Sequence, residues 1–201
     1  AEALCNIADR LEKATDFNME LQALLKDIVS NHKRIIFNGN SYCEEWVKEA
    51  ERRGLPNLKT TVDAIEALVK EKNIKLFEKH GVLNKTELHS RSEILLEIYI
   101  KTINIEAHTM LDMAKRQILP AVISFTRNIA SSITSIQATG LSVDISAQTE
   151  LLQEVSALLA QLKKSITALE QATSDATNFS GSSYEHAVTY RDIVITKMNE
   201  L

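Results

Sequence analysis

An all-α fold, an elongated helical bundle with a C-terminal antiparallel helical hairpin, is predicted by three observations. Chain-breaking residues are scarce, with 5 Gly and 2 Pro in 201 residues, so the elements are few and long. Apolar residues recur at spacings of three and four over most of the chain, the period of helices with one buried face. Hydrophobic residues make up 44% and aromatic residues only 5%, so the core is built mainly from Leu, Ile, Val and Ala.

Taken in order, Leu4, Ile7, Ala8, Leu11, Leu21, Leu24, Leu25 and Ile28 form one stripe, predicting a single long helix to about Ile36. Phe37-Asn38-Gly39-Asn40 ends it with turn chemistry. Ser41 and Glu44 match a capping box, predicting a second helix from Tyr42. Arg52 and Arg53 suit its last turn, with Gly54 as a left-handed cap and Pro56 just beyond.

A third helical stretch runs from Thr61 towards Gly81, with Ile65, Leu68, Val69, Leu76 and Phe77 as its core face and Asn73 as a point of division. Asn84 and Glu87 form a further cap, opening a run to Thr139 that holds no Gly and one proline, Pro120. A proline lacks the amide hydrogen and crowds the preceding turn, so a kink or break is expected there. Gly140 closes the run. Leu152, Val155, Leu159, Leu162, Ile166, Leu169, Thr173 and Ala176 then form a heptad seam that weakens in character after Leu169. The loop from Asn178 to Ser183 reverses the chain into a last helix offering Ala187, Val194, Met198 and Leu201.

The net charge is −4, with both signs interspersed. Lys33-Arg34, Arg52-Arg53 and Lys163-Lys164 are isolated pairs rather than the concentrated basic face that nucleic acid requires. No signal peptide is visible, and the stretch from Gln117 to Thr139 carries too much Ser, Thr and Asn to span a membrane. Cys5 and Cys43 form neither a disulfide framework nor a zinc spacing, and free thiols suit a reducing cytoplasm. The sequons at Asn84 and Asn178 are then chance matches. The chain opens inside an apolar pattern without Met, as an excised piece of something longer would.

Nothing matches a phosphate loop, a dinucleotide fingerprint or a nucleophile elbow. His108 and Asp112 stand four apart, but Glu106 points away from them, and two ligands are too few for a structural metal. The pair reads as a hydrogen-bonded helix surface. His89 and Glu93 repeat the spacing beside Glu87 and Arg91 and read as an exposed charged face. His32 sits at a helix end, where a partly cationic ring is favourable. Cys5 reads as a core residue, and Cys43 lies near a helix start where Glu44 and Glu45 oppose a lowered thiol pKa. Neither these two carboxylates nor Glu49 and Glu51 has a framework that would fix two of them around a substrate. The residues themselves therefore name no catalytic, cofactor or metal site.

Four stretches carry more than composition: AEALCNIADRLE at 1–12, YCEEWVKEAERRGLPNLKTTVDAI at 42–65, IYIKTINIEA at 98–107 and RQILPA at 116–121. In this order they resemble the C-terminal part of a type III glutamine synthetase, most specifically from Trp46 to Asp63 and only generally beyond Pro120. The resemblance implies a cytoplasmic parent enzyme that joins glutamate and ammonia using ATP and Mg²⁺ or Mn²⁺. It also implies a large homo-oligomer of stacked rings.

The family's metal-binding carboxylates and substrate-binding arginines lie on a catalytic sheet expected to precede Ala1, so none is carried over to a residue here. Residues 1–37 are then expected to continue from the catalytic domain and 38–201 to form a helical domain. Within it, short helices occupy 38–83, and long helices with the hairpin occupy 84–201. The Trp-, Pro- and aromatic-rich tail of the family does not appear before Leu201, which predicts truncation at both ends. On this reading the segment is structural or an oligomer contact, with no nucleic-acid or membrane partner. The other reading of the same helices is a free-standing coiled-coil interaction or signalling module centred on Leu151–Thr177.

Overall fold

A computed structural model describes residues 2–201, and among them every regular element is helical. The chain divides into two compact units, Ala1–Leu58 and Lys59–Leu201.

In the first unit the predicted single helix is two, α1 (Glu2–Glu12) and α2 (Phe17–Asn31). Asp16 is the reason: its extended backbone ends the incoming helix, and its carboxylate accepts the Met19 amide as an N-cap. Arg10 of α1 ties the two together through Glu20 and through Asp27 at 2.8 Å. Two short helices cannot cover each other's apolar stripes completely. Leu24 is buried, but Leu4 lies open, and so does Cys5, contrary to its reading as a core residue.

Helix α3 (Glu44–Arg52) starts two residues later than predicted, and the expected Ser41–Glu44 capping box does not form. Asn40 pre-empts it: its side-chain oxygen accepts the Tyr42 amide, and Cys43 becomes the N-cap. Gly54 is the left-handed cap the sequence called for, at φ +69°, and Leu55 donates back to the Ala50 carbonyl.

The second unit begins with α4 (Thr61–Leu68), capped by the Thr60 hydroxyl, and α5 (Glu71–Lys79). The division falls at Val69-Lys70 and not at Asn73. The Asn73 amide instead donates 2.6 Å to the Ala67 carbonyl, bridging the break between the two helices. Val62, Ile65 and Ile74 carry the burial, while Leu76 is half exposed.

Helix α6 (Lys85–Met113) opens with the predicted Asn84–Glu87 capping box. It runs through a π-helical turn, Ala114–Ile118, directly into α7 (Leu119–Ala138). Pro120 therefore does not break the run. The wider turn just before it relaxes the bonding pattern where the missing amide hydrogen and the ring would conflict with an α-helical ladder. Gly140, at φ +70°, ends the helix as predicted.

Helix α8 (Ser146–Thr177) returns along α7 and α6. The loop then reverses into α9 (Ser183–Thr189), a second π turn at Tyr190–Val194, and α10 (Ile195–Glu200). Burial along the seam of α8 runs opposite to its apolar character. Leu152, Val155, Leu159 and Leu162 are partly exposed, whereas Ile166, Leu169, Thr173 and Ala176 are buried. The weaker half is buried because α6 and the last helix cover it; the stronger half meets α7.

The main core joins Ala107, Leu111, Ala114, Ile166, Leu169, Ala176, Tyr190 and Val194. A second cluster, Val62, Ile65, Leu96 and Ala187, seats α4 and α9 on α6. Tyr99 and Ile100 border both clusters.

Candidate functional site

A concavity with charged walls lies in the second unit where α6 and its π turn face the C-terminal half of α8. It is an open cleft of about 730 Å³ lined by His108, Asp112, Lys115 and Arg116 on one wall and Glu170, Thr173, Ser174, Thr177 and Asn178 on the other. The π turn supplies Lys115 and Arg116. In a regular helix consecutive residues diverge by about 100°, and the wider turn reduces that angle, which lets both basic side chains reach one cleft.

The charged groups of this cleft are paired with each other. Arg116 lies 2.7 Å from Asp112, one helical turn back, and Lys115 bridges to Glu170 on α8. In place of the expected His108–Asp112 hydrogen bond, Asp112 accepts from the guanidinium of Arg116, four residues further along the helix. The two threonine hydroxyls and the Asn178 amide are turned to the backbone of their own helix. Thr173 donates to the Leu169 carbonyl at 2.7 Å, Thr177 to the Thr173 carbonyl at 2.8 Å, and the Asn178 amide to the Ser174 carbonyl at 2.9 Å.

Among the described residues, no three His, Cys, Asp or Glu side chains gather where they could hold a metal ion. His89 and Glu93 lie exposed on α6, and His32 is the C-cap of α2. Cys43 is the N-cap of α3 and donates its thiol to the Asn40 carbonyl.

A polar network in the last helix escaped the sequence reading. Tyr190, almost fully buried, donates its hydroxyl 3.1 Å to the Asn104 side chain. His186 packs between Phe179 and Tyr190 and contacts the Ala176 carbonyl through Nε2 at 2.8 Å. Gly181 leaves room for the Phe179 ring, which a Cβ there would meet at 2.5 Å.

Arg191 joins Asp63 of α4 at 2.7 Å and its neighbour Asp192 at 2.6 Å. Hydrogen bonding to Asp192 pushes the guanidinium pKa up, and the same bond holds the Asp192 carboxyl below its usual range. An aromatic-basic pair straddling the apolar positions Ala187 and Val194 was the available signal. It was hidden because its partners lie 86 and 128 residues away in sequence.

The first unit holds the corresponding surprise in α3. Trp46 packs against Phe37 in a tilted ring pair with centroids 4.5 Å apart, and Arg53 lies over the indole at 5.7 Å. Arg53 also donates to the Arg34 and Ile36 carbonyls, at 3.1 and 2.7 Å, clamping the segment after α2. Glu49 receives both Arg52 and Arg53, and their hydrogen bonds hold its carboxyl down at about 2. Trp46, Glu49, Arg53 and Gly54 all belong to the unusual string from 46 to 63, whose visible purpose is thus to fasten a turn.

Fold and cleft together define an all-helical domain whose charged cleft side chains form ion pairs with one another. The profile of the glutamine synthetase C-terminal domain matches residues 20–137, and the chain belongs to that family. It is 36% identical over 186 residues to a type-3 glutamine synthetase of Dictyostelium discoideum, covering 89% of this chain and 25% of that protein. A glutamine synthetase of Butyrivibrio fibrisolvens is 34% identical over 183 residues, covering 90% of this chain and 26% of the relative. One from Bacteroides fragilis (strain YCH46) is 25% identical over 175 residues, covering 84% and 24%. The chain thus spans about a quarter of the length of the curated relatives it matches. No helix among the described residues is long and apolar enough to cross a membrane.

Proposed function

We propose that this chain is the helical C-terminal part of a cytoplasmic, ATP-dependent glutamine synthetase, where it supplies contact between subunits and no catalytic group. Family membership supports the parent activity, the joining of glutamate and ammonia using ATP and Mg²⁺ or Mn²⁺. The residues here do not fit either cofactor. There is no glycine-rich phosphate loop, and no cluster of three metal ligands occurs among the described residues. No chemical step is therefore assigned to this chain. Residues 1–37 then continue from the catalytic domain, and 38–201 form the helical elaboration.

One observation carries the contact role. Ile94, Ile98 and Ile105 stand at spacings of four and seven on α6, within about 40° of one another on a helical wheel, and all three are more than half exposed. Isolated exposed apolar residues are ordinary, but a row of three isoleucines on one helix marks a contact surface.

The test replaces Ile98 and Ile105 with Glu in the full-length enzyme and follows its assembly by analytical ultracentrifugation. Smaller assemblies, with unchanged subunit melting, are expected. An intact assembly overturns the contact role. Separately, the chain alone should form no glutamine from glutamate, ammonia and ATP with Mg²⁺ or Mn²⁺, and turnover above a buffer control overturns the non-catalytic reading.

A further inference from the structure

The arm formed by α7 and the first half of α8 is two helices thick, and its heptad register says what each side presents. In α8 the seam positions are Leu152, Val155, Leu159 and Leu162. In α7 the same spacing of three and four runs through Val122, Thr126, Ile129, Ile133 and Ile136. Two antiparallel helices that share a seam bring their g positions to the same side. Those positions are Leu151, Leu158 and Ser165 on α8, with Phe125 and Ser132 on α7.

This side holds no charge, and its large residues lie open: Leu158 is 56% exposed, Phe125 50% and Leu151 41%. The α8 seam beneath is only partly covered, whereas the same seam is buried from Ile166 onward, where α6 and the last helix lie over it. The arm thus has the apolar surface of half a four-helix bundle.

We propose that this face pairs with the same face of a second copy of the chain, the two arms running antiparallel. Self-complementarity is the reason. A two-fold axis at Leu158 sets Leu158 against its own counterpart and Leu151 against Ser165 of the second copy. Lys115 meets Glu170 across the cleft. Counting outward along the arm from there brings Phe125 and Ser132 to either side of the level of Leu158. The same axis therefore sets Phe125 against Ser132 of the second copy. Each remaining large side chain meets a small one.

An arm of about 24 residues is roughly 35 Å long and about 20 Å wide. It offers roughly 700 Å² per copy, close to the ~800 Å² per partner of a standard interface.

The pairing goes beyond the α6 contact, and the chain itself tests it without the rest of the enzyme. Sedimentation equilibrium should show a concentration-dependent dimer. Leu158→Glu, at an exposed position that leaves helicity unchanged, should weaken that dimer roughly 100-fold by setting two carboxylates together. In a Cys5→Ser, Cys43→Ser background, oxidised Leu158→Cys should cross-link to itself. Leu151→Cys should not, because antiparallel pairing separates its two copies by about 20 Å. A monomer at all concentrations, a dimer indifferent to Leu158→Glu, or cross-linking through Leu151→Cys overturns the pairing.

Discussion

Replacing Ile166 with Ala tests whether the covered half of α8 is the anchor of the second unit. Ile166 is fully buried and lies in the cluster with Leu111, Leu169 and Val194. The substitution deletes three carbons, worth about 2.4 kcal/mol at ~0.8 kcal/mol each. The remaining cavity raises the loss to about 3–4 kcal/mol. Leu159→Ala, one heptad earlier and partly exposed, deletes the same number of carbons but should cost only about 1–1.5 kcal/mol, because water already reaches the side chain. Urea unfolding followed by circular dichroism at 222 nm, with dilute protein to keep it monomeric, gives both values. Comparable losses would refute the claim that α6 and the last helix, rather than heptad character, determine burial along α8.

Three further outcomes concern the remaining contacts. The Glu49 carboxyl titrates near 2 in the folded chain against an ordinary 4.5. Its depressed folded pKa means that its stabilisation is complete above about 4.5 and is lost as pH falls towards 2. Acid unfolding of the first unit, read by fluorescence of Trp46, should therefore steepen in that window, and Glu49→Gln should remove that part of the pH dependence. Gly54→Ala should cost about 1 kcal/mol in the same fluorescence assay, because alanine resists the positive φ that glycine adopts there. Tyr190→Phe should lower the stability of the second unit by about 1–2 kcal/mol in urea, since it removes the bond to Asn104 and leaves that oxygen without its donor.

What could be read from sequence followed the range of the physics involved. The Asn84–Glu87 cap, the Gly54 and Gly140 terminations and the helical class rest on residues within one turn of each other, and all three were legible. Local rules failed where two of them competed. Asn40 took the Tyr42 amide before a Ser41 cap could form, and Asp16 interrupted a stripe that otherwise ran on. Pro120 was read by its effect on an α-helix, with no allowance for a π turn that accommodates it. The polar cleft and the Tyr190 network were beyond reach for a different reason. Lys115 meets Glu170, Tyr190 meets Asn104, and Arg191 meets Asp63 only after the long helices have docked. No spacing in the chain encodes those meetings. Residue types alone could propose His108 and Asp112 as a pair, but Asp112 pairs with Arg116 instead.

The two π turns, Ala114–Ile118 and Tyr190–Val194, act as phase shifters. Each is equivalent to one residue inserted into a continuing helix, and a single residue turns everything beyond it by about 100°. Deleting one residue inside Ala114–Ile118 should restore a plain helix yet rotate the seam of α7 away from α8, turning Ile129 out of the position where it is now buried. Length variation at these two places is thus restricted in a way that substitution is not. The helix would tolerate almost any side chain on its outer surface, but it cannot lose a count.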